Sequence, residues 1–265
     1  MSEPSPDGRP DVLRQLSLAG KRALVSGASR GLGRTIALAL AEAGADVGLI
    51  ARDLGRLEAV AGEIRALGRR AVPIRADLSV MSELRQAVEA AYAAFGQLDI
   101  LVCNAGISPV FKRSVEVTEE EWDAILATNL KATFFLCAAV GKRMSEAGGG
   151  SIITLASVAS VVGTPRMAAY GASKAAVAQL TRTLALEWAG QHVRVNAIAP
   201  GYIETDLTAG LLSHPYWGAQ IRDATPLGRV GQPREIAGIA VYLASAASSF
   251  ATGQLFLVDG GATAG

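Results

Sequence analysis

Gly27-Ala28-Ser29-Arg30-Gly31-Leu32-Gly33 stands between an apolar run at 21–26 and an apolar-periodic run at 35–43. Strand, glycine-rich turn and helix start, in that order, form the first half of a β-α-β unit. The backbone N–H groups of the turn and the positive end of the helix dipole then suit a pyrophosphate. The spacing is Gly-x-x-x-Gly-x-Gly and departs from the commoner Gly-x-Gly-x-x-Gly. Alone, it fits equally well a tight loop that lets a helix pack close on a strand.

The continuation favours the first reading. Gly44-Ala45 stops the helix and residues 46–51 form a second apolar run, which completes the unit within about 30 residues. Where a carboxylate would hold the ribose 2′-hydroxyl of NAD(H), the chain has Ala51-Arg52. Arg52 with Arg30 suits a 2′-phosphate, because guanidinium binds phosphate in a bidentate, charge-assisted way; NADP(H) is therefore preferred. In the other reading both arginines are surface residues and Asp53 takes the ribose, which keeps NAD(H) possible.

The alternation then runs on to the end of the chain. Helices are expected at 54–67, from 81, from 119 to about 146, at 167–189 and at 233–245; strands at 71–75, 98–102, 151–156, 192–199 and 253–258. Asp77-Leu78-Ser79 reads as a turn that caps the helix from 81, with a role at an adenine edge as the alternative for Asp77. Asn104-Ala105-Gly106 follows the strand at 98–102, at the carboxyl end where open α/β sheets bind ligands, and its small pair leaves room for a cofactor. Thr118 with Glu121 forms a capping box. Asn129 lies inside the long helix that follows, and Ser157 stands at the end of a strand.

Tyr170 and Lys174 are four apart, hence on one helix face, and an ammonium beside a phenol lowers the phenol's pKa. The alternative is an aromatic core residue next to a solvated lysine. Residues 202–229, with Pro215, Tyr216, Trp217 and Pro226, interrupt any helix and read as a substrate lid or a subunit contact.

Half of the 265 residues are hydrophobic and 18% are charged, enough for a large core, so residues 18–265 read as a single domain behind a mobile tail at 1–17. A net charge of +1 and 5% aromatic residues exclude a basic stripe or stacking platform for nucleic acid and leave a small molecule as the partner. No apolar run approaches the roughly 18 residues of a membrane span, and the polar, proline-bearing start is unlike a signal peptide. Cys103 and Cys137 lack the spacing of a metal site or a C-x-x-C pair, so a reducing cytoplasm is the expected compartment and no metal is expected.

Gly27-x-x-x-Gly31-x-Gly33, Asn104-Ala-Gly106, Asn129, Ser157, Tyr170-x-x-x-Lys174 and Pro200-Gly201 together resemble the short-chain dehydrogenase/reductase family in its single-domain form, over residues 18–261. Two departures are Ser26, where threonine is common, and Cys103, where a second asparagine is common. The resemblance implies an α/β, doubly wound Rossmann-type fold, a seven-stranded parallel sheet with helices on both faces. It implies catalysis by Asn129, Ser157, Tyr170 and Lys174: Tyr170 donates the proton, Ser157 bonds the carbonyl oxygen, Lys174 lowers the tyrosine pKa and bonds the nicotinamide ribose, and Asn129 holds a water that reprotonates Lys174. Pro200, Gly201, Ile203 and Thr205, in a Pro-Gly-x-x-x-Thr arrangement, would meet the nicotinamide.

The implied reaction interconverts a ketone and a secondary alcohol; NAD-dependent alcohol oxidation and a non-catalytic cofactor-binding scaffold are the alternatives. The substrate side resembles 3-oxoacyl carrier-protein reductases and gluconate 5-dehydrogenase alike. Arg113, Arg166 and His214 are candidates to meet an anionic substrate, and Ser108, Val158, Tyr202 and Trp217 to shape its pocket. A homotetramer, or a homodimer, is the family expectation.

Overall fold

Seven strands form: β1 (Arg22–Ser26), β2 (Asp46–Ala51), β3 (Ala71–Arg75), β4 (Ile100–Cys103), β5 (Gly150–Leu155), β6 (Val193–Pro200) and β7 (Leu255–Val258). In this computed structural model, which describes residues 11–108 and 110–264, they pair in the order β3-β2-β1-β4-β5-β6-β7. Every pairing is parallel, as in Val25 opposite Leu49 on one side and Val102 on the other. The fold class read from the sequence is the one observed. β1 is flanked by β2 and β4, so the winding reverses there and the carboxyl ends of β1 and β4 open onto a crevice.

The connecting segments are α1 (Val12–Leu16), α2 (Gly31–Glu42), α3 (Leu54–Ala66), α4 (Met81–Phe95), α5 (Glu119–Leu126), α6 (Ala132–Glu146), α7 (Ala168–Trp188), α8 (Ala209–Leu212), α9 (Pro215–Asp223) and α10 (Arg234–Ala244). Because both sheet faces must be covered, the apolar strands feed two cores. Val25, Val47 and Leu49 pack with Ile36 and Leu40 of α2, Leu57 and Ile64 of α3, and Ile236 and Leu243 of α10. Leu24, Leu101 and Ile152 pack on the other face with Leu84 of α4, Leu136, Val140 and Met144 of α6, and Leu184 of α7.

Of the tail expected at 1–17, residues 1–10 lie outside the described residues, and Asp11 caps α1 by accepting from the Arg14 N–H at 3.1 Å. Three other sequence expectations change. Pro215 starts α9 instead of breaking a helix: at the first helical position its missing N–H is one the helix leaves unbonded anyway. Asp77 does not cap α4, whose N-cap is Val80 without a side-chain bond; Asp77 Oδ1 accepts from the Ser79 N–H at 3.0 Å and hydroxyl at 2.7 Å. The helix after the Thr118–Glu121 capping box, which is present, is not continuous α: residues Ala127–Lys131 form a π segment between α5 and α6.

That rod, Glu119–Glu146, is 28 residues long with a window of mean hydropathy 1.6, so by length and composition it could cross a membrane. Leu136, Cys137 and Val140 on it are instead buried against the sheet, while Phe134 and Phe135 are exposed.

Candidate active site

The crevice is built first of backbone. Gly27 has φ +65°, open to glycine at little cost, and a Cβ at Gly33 would stand 2.2 Å from the Gly27 carbonyl and 2.4 Å from Asn104 Nδ2. The glycines therefore let α2 start close against β1. Ser26, at the end of β1, ties this turn to β4: its hydroxyl donates to the Val102 carbonyl at 3.3 Å and accepts from the Asn104 N–H at 3.0 Å and the Ala105 N–H at 3.1 Å. Asn104 returns two bonds, Nδ2 donating to the Ser26 and Gly27 carbonyls at 3.1 Å each. Serine thus fills the role expected of threonine, since only the hydroxyl is used.

A cavity of about 430 Å³ lies over this turn. Gly27, Ser29, Arg30, Gly31 and Leu32 line it, with Arg52, Asp77, Leu78, Asn104, Ala105, Gly106 and Thr205. Arg52 is largely exposed and 3.9 Å from Asp77, and Arg30 reaches Asp206 at 3.1 Å, both weak surface pairs that leave the guanidinium groups able to turn to another anion. Asp53 also lines the cavity, but its carboxylate is the N-cap of α3, accepting from the Arg56 N–H at 3.0 Å and pairing with Arg56 at 3.3 Å. Asp77 is held below the usual carboxylate range by the Ser79 hydroxyl first, against the cost of burial. A glycine cradle that a Cβ would fill, beside two loosely held arginines, fits a dinucleotide with an extra phosphate.

Of the remaining residues expected at the cofactor, Gly33 lies beneath the turn, Ile203 is buried and bridges to Gly231, and Pro200 ends β6. None of these three lines the cavity, nor does Lys174, which lies behind both cavities, and Tyr170 and Gly201 line a second one.

That second cavity, about 200 Å³, holds Ser157 and Tyr170 together with Ser108, Val110, Phe111, Val158, Thr164, Met167, Tyr202 and Leu211. Leu207 lines both cavities, so they meet. Of the residues expected to shape the pocket, Trp217 alone does not line it; it stands behind Phe111, edge to face at 5.3 Å. Ser157 heads the 3₁₀ turn Val158–Ser160, its hydroxyl accepting from the Ala159 N–H at 3.2 Å.

Lys174 is buried and donates from Nζ to the Leu155 carbonyl at 2.6 Å, which anchors α7 to the end of β5. Burial pushes its pKa down to about 8. The expected lowering of Tyr170 by Lys174 is not found. Burial of the hydroxyl raises the Tyr170 pKa, a hydrogen bond from Ser157 pulls it partly back, and Tyr202 raises it further; Lys174 Nζ lies 5.8 Å from the ring centroid. Spacing of four residues brings the two side chains together, and burial sets the direction of the tyrosine's shift.

Asn129 sits in the π segment with its amide fully engaged. Oδ1 accepts from the Ile107 N–H at 2.8 Å, and Nδ2 donates to the Ile107 carbonyl at 3.0 Å and to Ser173 Oγ at 3.1 Å. Ser173 Oγ in turn donates to the Tyr170 carbonyl at 2.7 Å. The loop after β4 is thereby clamped to α7 beside Tyr170. A Cβ on Gly106 would stand 3.4 Å from Asn129 Oδ1 and 3.5 Å from Lys174 Nζ, so the bare glycine leaves space between them. Ile107 and Ser173 were not singled out in the sequence: one acts through its backbone, the other through a hydroxyl that periodicity cannot distinguish from a core position.

Residues 27–263 match the family described as Enoyl-(Acyl carrier protein) reductase. A solved short-chain type dehydrogenase/reductase from Mycobacterium marinum is 41% identical, with 96% of this chain and 99% of that chain covered at a TM-score of 0.91. The chain belongs to the short-chain dehydrogenase/reductase family. Within it, this oxidoreductase is 41% identical over 253 residues to 2-dehydro-3-deoxy-D-gluconate 5-dehydrogenase of Dickeya dadantii, covering 94% of this chain and 98% of that protein. A gluconate 5-dehydrogenase from Burkholderia cenocepacia J2315, solved in complex with NADP and tartrate, superimposes with a TM-score of 0.92 at 37% identity, covering 96% of this chain and 99% of that one.

Proposed function

We propose that this dehydrogenase/reductase interconverts a ketone and a secondary alcohol with NADP(H) as preferred cofactor and NAD(H) as a poorer one, on a substrate of sugar-acid or polyol type. When bound, the nicotinamide supplies or accepts the hydride. The observation that carries the reading is that the cavity over the glycine turn meets, at Leu207, a second cavity lined by Ser157 and Tyr170, with Lys174 buried one helical turn beyond Tyr170. Ser157 hydrogen-bonds the substrate oxygen, where negative charge develops during reduction. Tyr170, kept protonated by burial, donates its proton to that oxygen, and in the oxidative direction takes it back.

Lys174, with its pKa near 8, exchanges protons close to neutrality and is the reservoir behind Tyr170. Asn129 positions α7 against the loop after β4, and the space that Gly106 leaves beside Lys174 suits a bridging water. Arg52 and Arg30 take the 2′-phosphate, a role supported by the engagement of Asp53 as a helix cap. Glycines 27, 31 and 33 with Asn104 hold the pyrophosphate turn, Asp77 and Leu78 the adenine side, and Thr205 the nicotinamide side.

Residues 18–265 act as one catalytic domain, with 202–229 closing over the substrate cavity through Leu207, Thr208 and Leu211. The exposed pair Phe134 and Phe135 on α6, Leu186 on α7 and Phe250 before β7 support self-association, as a homotetramer or homodimer. The unbridged thiols of Cys103 and Cys137, 3.5 Å apart, suit the cytoplasm.

A panel of ketones and sugar acids assayed with both cofactors tests the reading. Tyr170→Phe is expected to lower kcat by about 10²–10⁴-fold; wild-type turnover in that variant would remove Tyr170 from the chemistry.

A further inference from the structure

Three basic residues, Arg113, Arg166 and His214, stand out in the sequence near the substrate side, and the structure separates them. His214 is engaged as the N-cap of α9, Nδ1 accepting from the Trp217 N–H at 3.4 Å. Arg113 heads the short 3₁₀ turn Ser114–Glu116 and does not border the substrate cavity. Arg166 is at its rim: Thr164 and Met167 on either side of it line the cavity, and it lies only four residues before Tyr170.

Two further observations mark Arg166. Its backbone is left-handed, φ +68°, a strained setting for a residue with a side chain, and its carbonyl accepts from the Lys112 N–H at 3.2 Å, joining the two loops that frame the pocket. Its guanidinium lies 5.8 Å from the Phe111 ring centroid and 5.9 Å from that of Trp217, while Phe111 itself lines the cavity. Held against two rings, a guanidinium keeps its N–H edge free for a planar anion. Among the described residues no carboxylate forms an ion pair with Arg166.

The interior has the opposite character. Among the described residues no charged side chain lines the substrate cavity; Ser108, Ser157, Thr164, Tyr170 and Tyr202 belong to its wall alongside apolar residues such as Phe111, Met167 and Leu211, while the Thr208 hydroxyl donates to the Ile203 carbonyl at 2.5 Å. Such a lining accepts a neutral polyhydroxy chain, whereas a carboxylate driven inside would lose its hydration without a counter-charge. The charge of an acidic substrate therefore belongs at the mouth.

We infer that Arg166 is the specificity-determining anchor of this pocket, receiving the carboxylate of a polyhydroxy acid whose neutral chain lies inside with its reacting carbon at Tyr170. The inference rests on the proposed oxidoreductase reading and adds the substrate's chemical class and orientation. The test pairs D-gluconate with D-glucitol, alike in chain length but differing in the carboxylate. Binding calorimetry in the presence of NADP⁺, together with kcat and KM for oxidation, is carried out on wild type, Arg166→Gln and Arg166→Gly.

Glycine accepts a φ of +68° without strain, so the Gly variant keeps the loop while losing the cation. Both variants are expected to bind D-gluconate about tenfold or more weakly, with KM raised and kcat within about twofold, and to leave D-glucitol unchanged. Three results overturn the anchor: wild type that binds D-gluconate no better than D-glucitol, variants that keep wild-type affinity for D-gluconate, or equal losses for both compounds, which mark a merely structural arginine. Failure of the oxidoreductase reading shows elsewhere, as turnover indifferent to Tyr170→Phe.

Discussion

Lys174→Met is expected to abolish turnover and at the same time to change how stability depends on pH. Lys174 is 5% exposed, and burial alone moves its pKa from 10.5 to about 8. Below the lower value both states hold the proton, but the folded state holds it on a buried ammonium. The gap of roughly two and a half pKa steps, at about 1.36 kcal/mol each, makes this a penalty of about 3 kcal/mol at pH 7. As pH rises through the folded value the buried amine loses its proton while the unfolded lysine keeps it, so the penalty is relieved. By pH 9.5 only about 1.4 kcal/mol remains.

Wild type should therefore gain about 2 kcal/mol relative to Lys174→Met between pH 7 and pH 9.5. The comparison with the variant cancels every other titrating group. At pH 7 the variant also leaves the Leu155 carbonyl without its donor, at a cost of about 1–3 kcal/mol, so it should be about as stable as wild type though inactive. Urea unfolding followed by circular dichroism at the two pH values measures the difference. A wild-type-to-variant gap that stays constant across that range would refute the depressed lysine and, with it, the proton reservoir.

Arg52→Ala is expected to raise KM for NADPH about tenfold and leave NADH unchanged, as loss of one charge-assisted phosphate contact implies; steady-state kinetics with both cofactors check this, and equal changes would return Arg52 to the surface. Ser26→Ala leaves the Asn104 and Ala105 N–H groups unpartnered and should cost about 1–3 kcal/mol in thermal or urea unfolding, whereas Ser26→Thr restores the hydroxyl and should not.

What could be read from the chain was what repeats or punctuates. The turn at Gly27 to Gly33, the alternating apolar runs and the position of Asn104 at a strand's carboxyl end placed the crevice, because glycine and strand ends obey local sterics. Residues 202–229 resisted: Pro215 has the same letter whether it breaks a helix or begins one, and only the segment's packing decides. Tyr170 and Lys174 were located by spacing, but their pKa values depend on how deeply the fold sinks them, which no spacing contains. Asn129 was visible as an oddity inside a helix, while its partners Ile107 and Ser173 were not, since a backbone amide and a small hydroxyl carry no pattern. Arg166 looked like Arg113 and His214 until the loops were folded.

The π segment at Ala127–Lys131 has a consequence beyond holding Asn129. In an unbroken α-helix Ile125 and Ala132, seven apart, would fall on one stripe; the extra residue in the turn rotates the two halves of the rod by about 100° relative to each other. Ile125 accordingly packs beside the substrate end with Val110 and Ala169, while Ala132 and Leu136 face the sheet. One continuous rod thus carries two phases of hydrophobic pattern, and a single-residue deletion there would mend the helix while misdirecting everything upstream of it, leaving a regular element that points the wrong way.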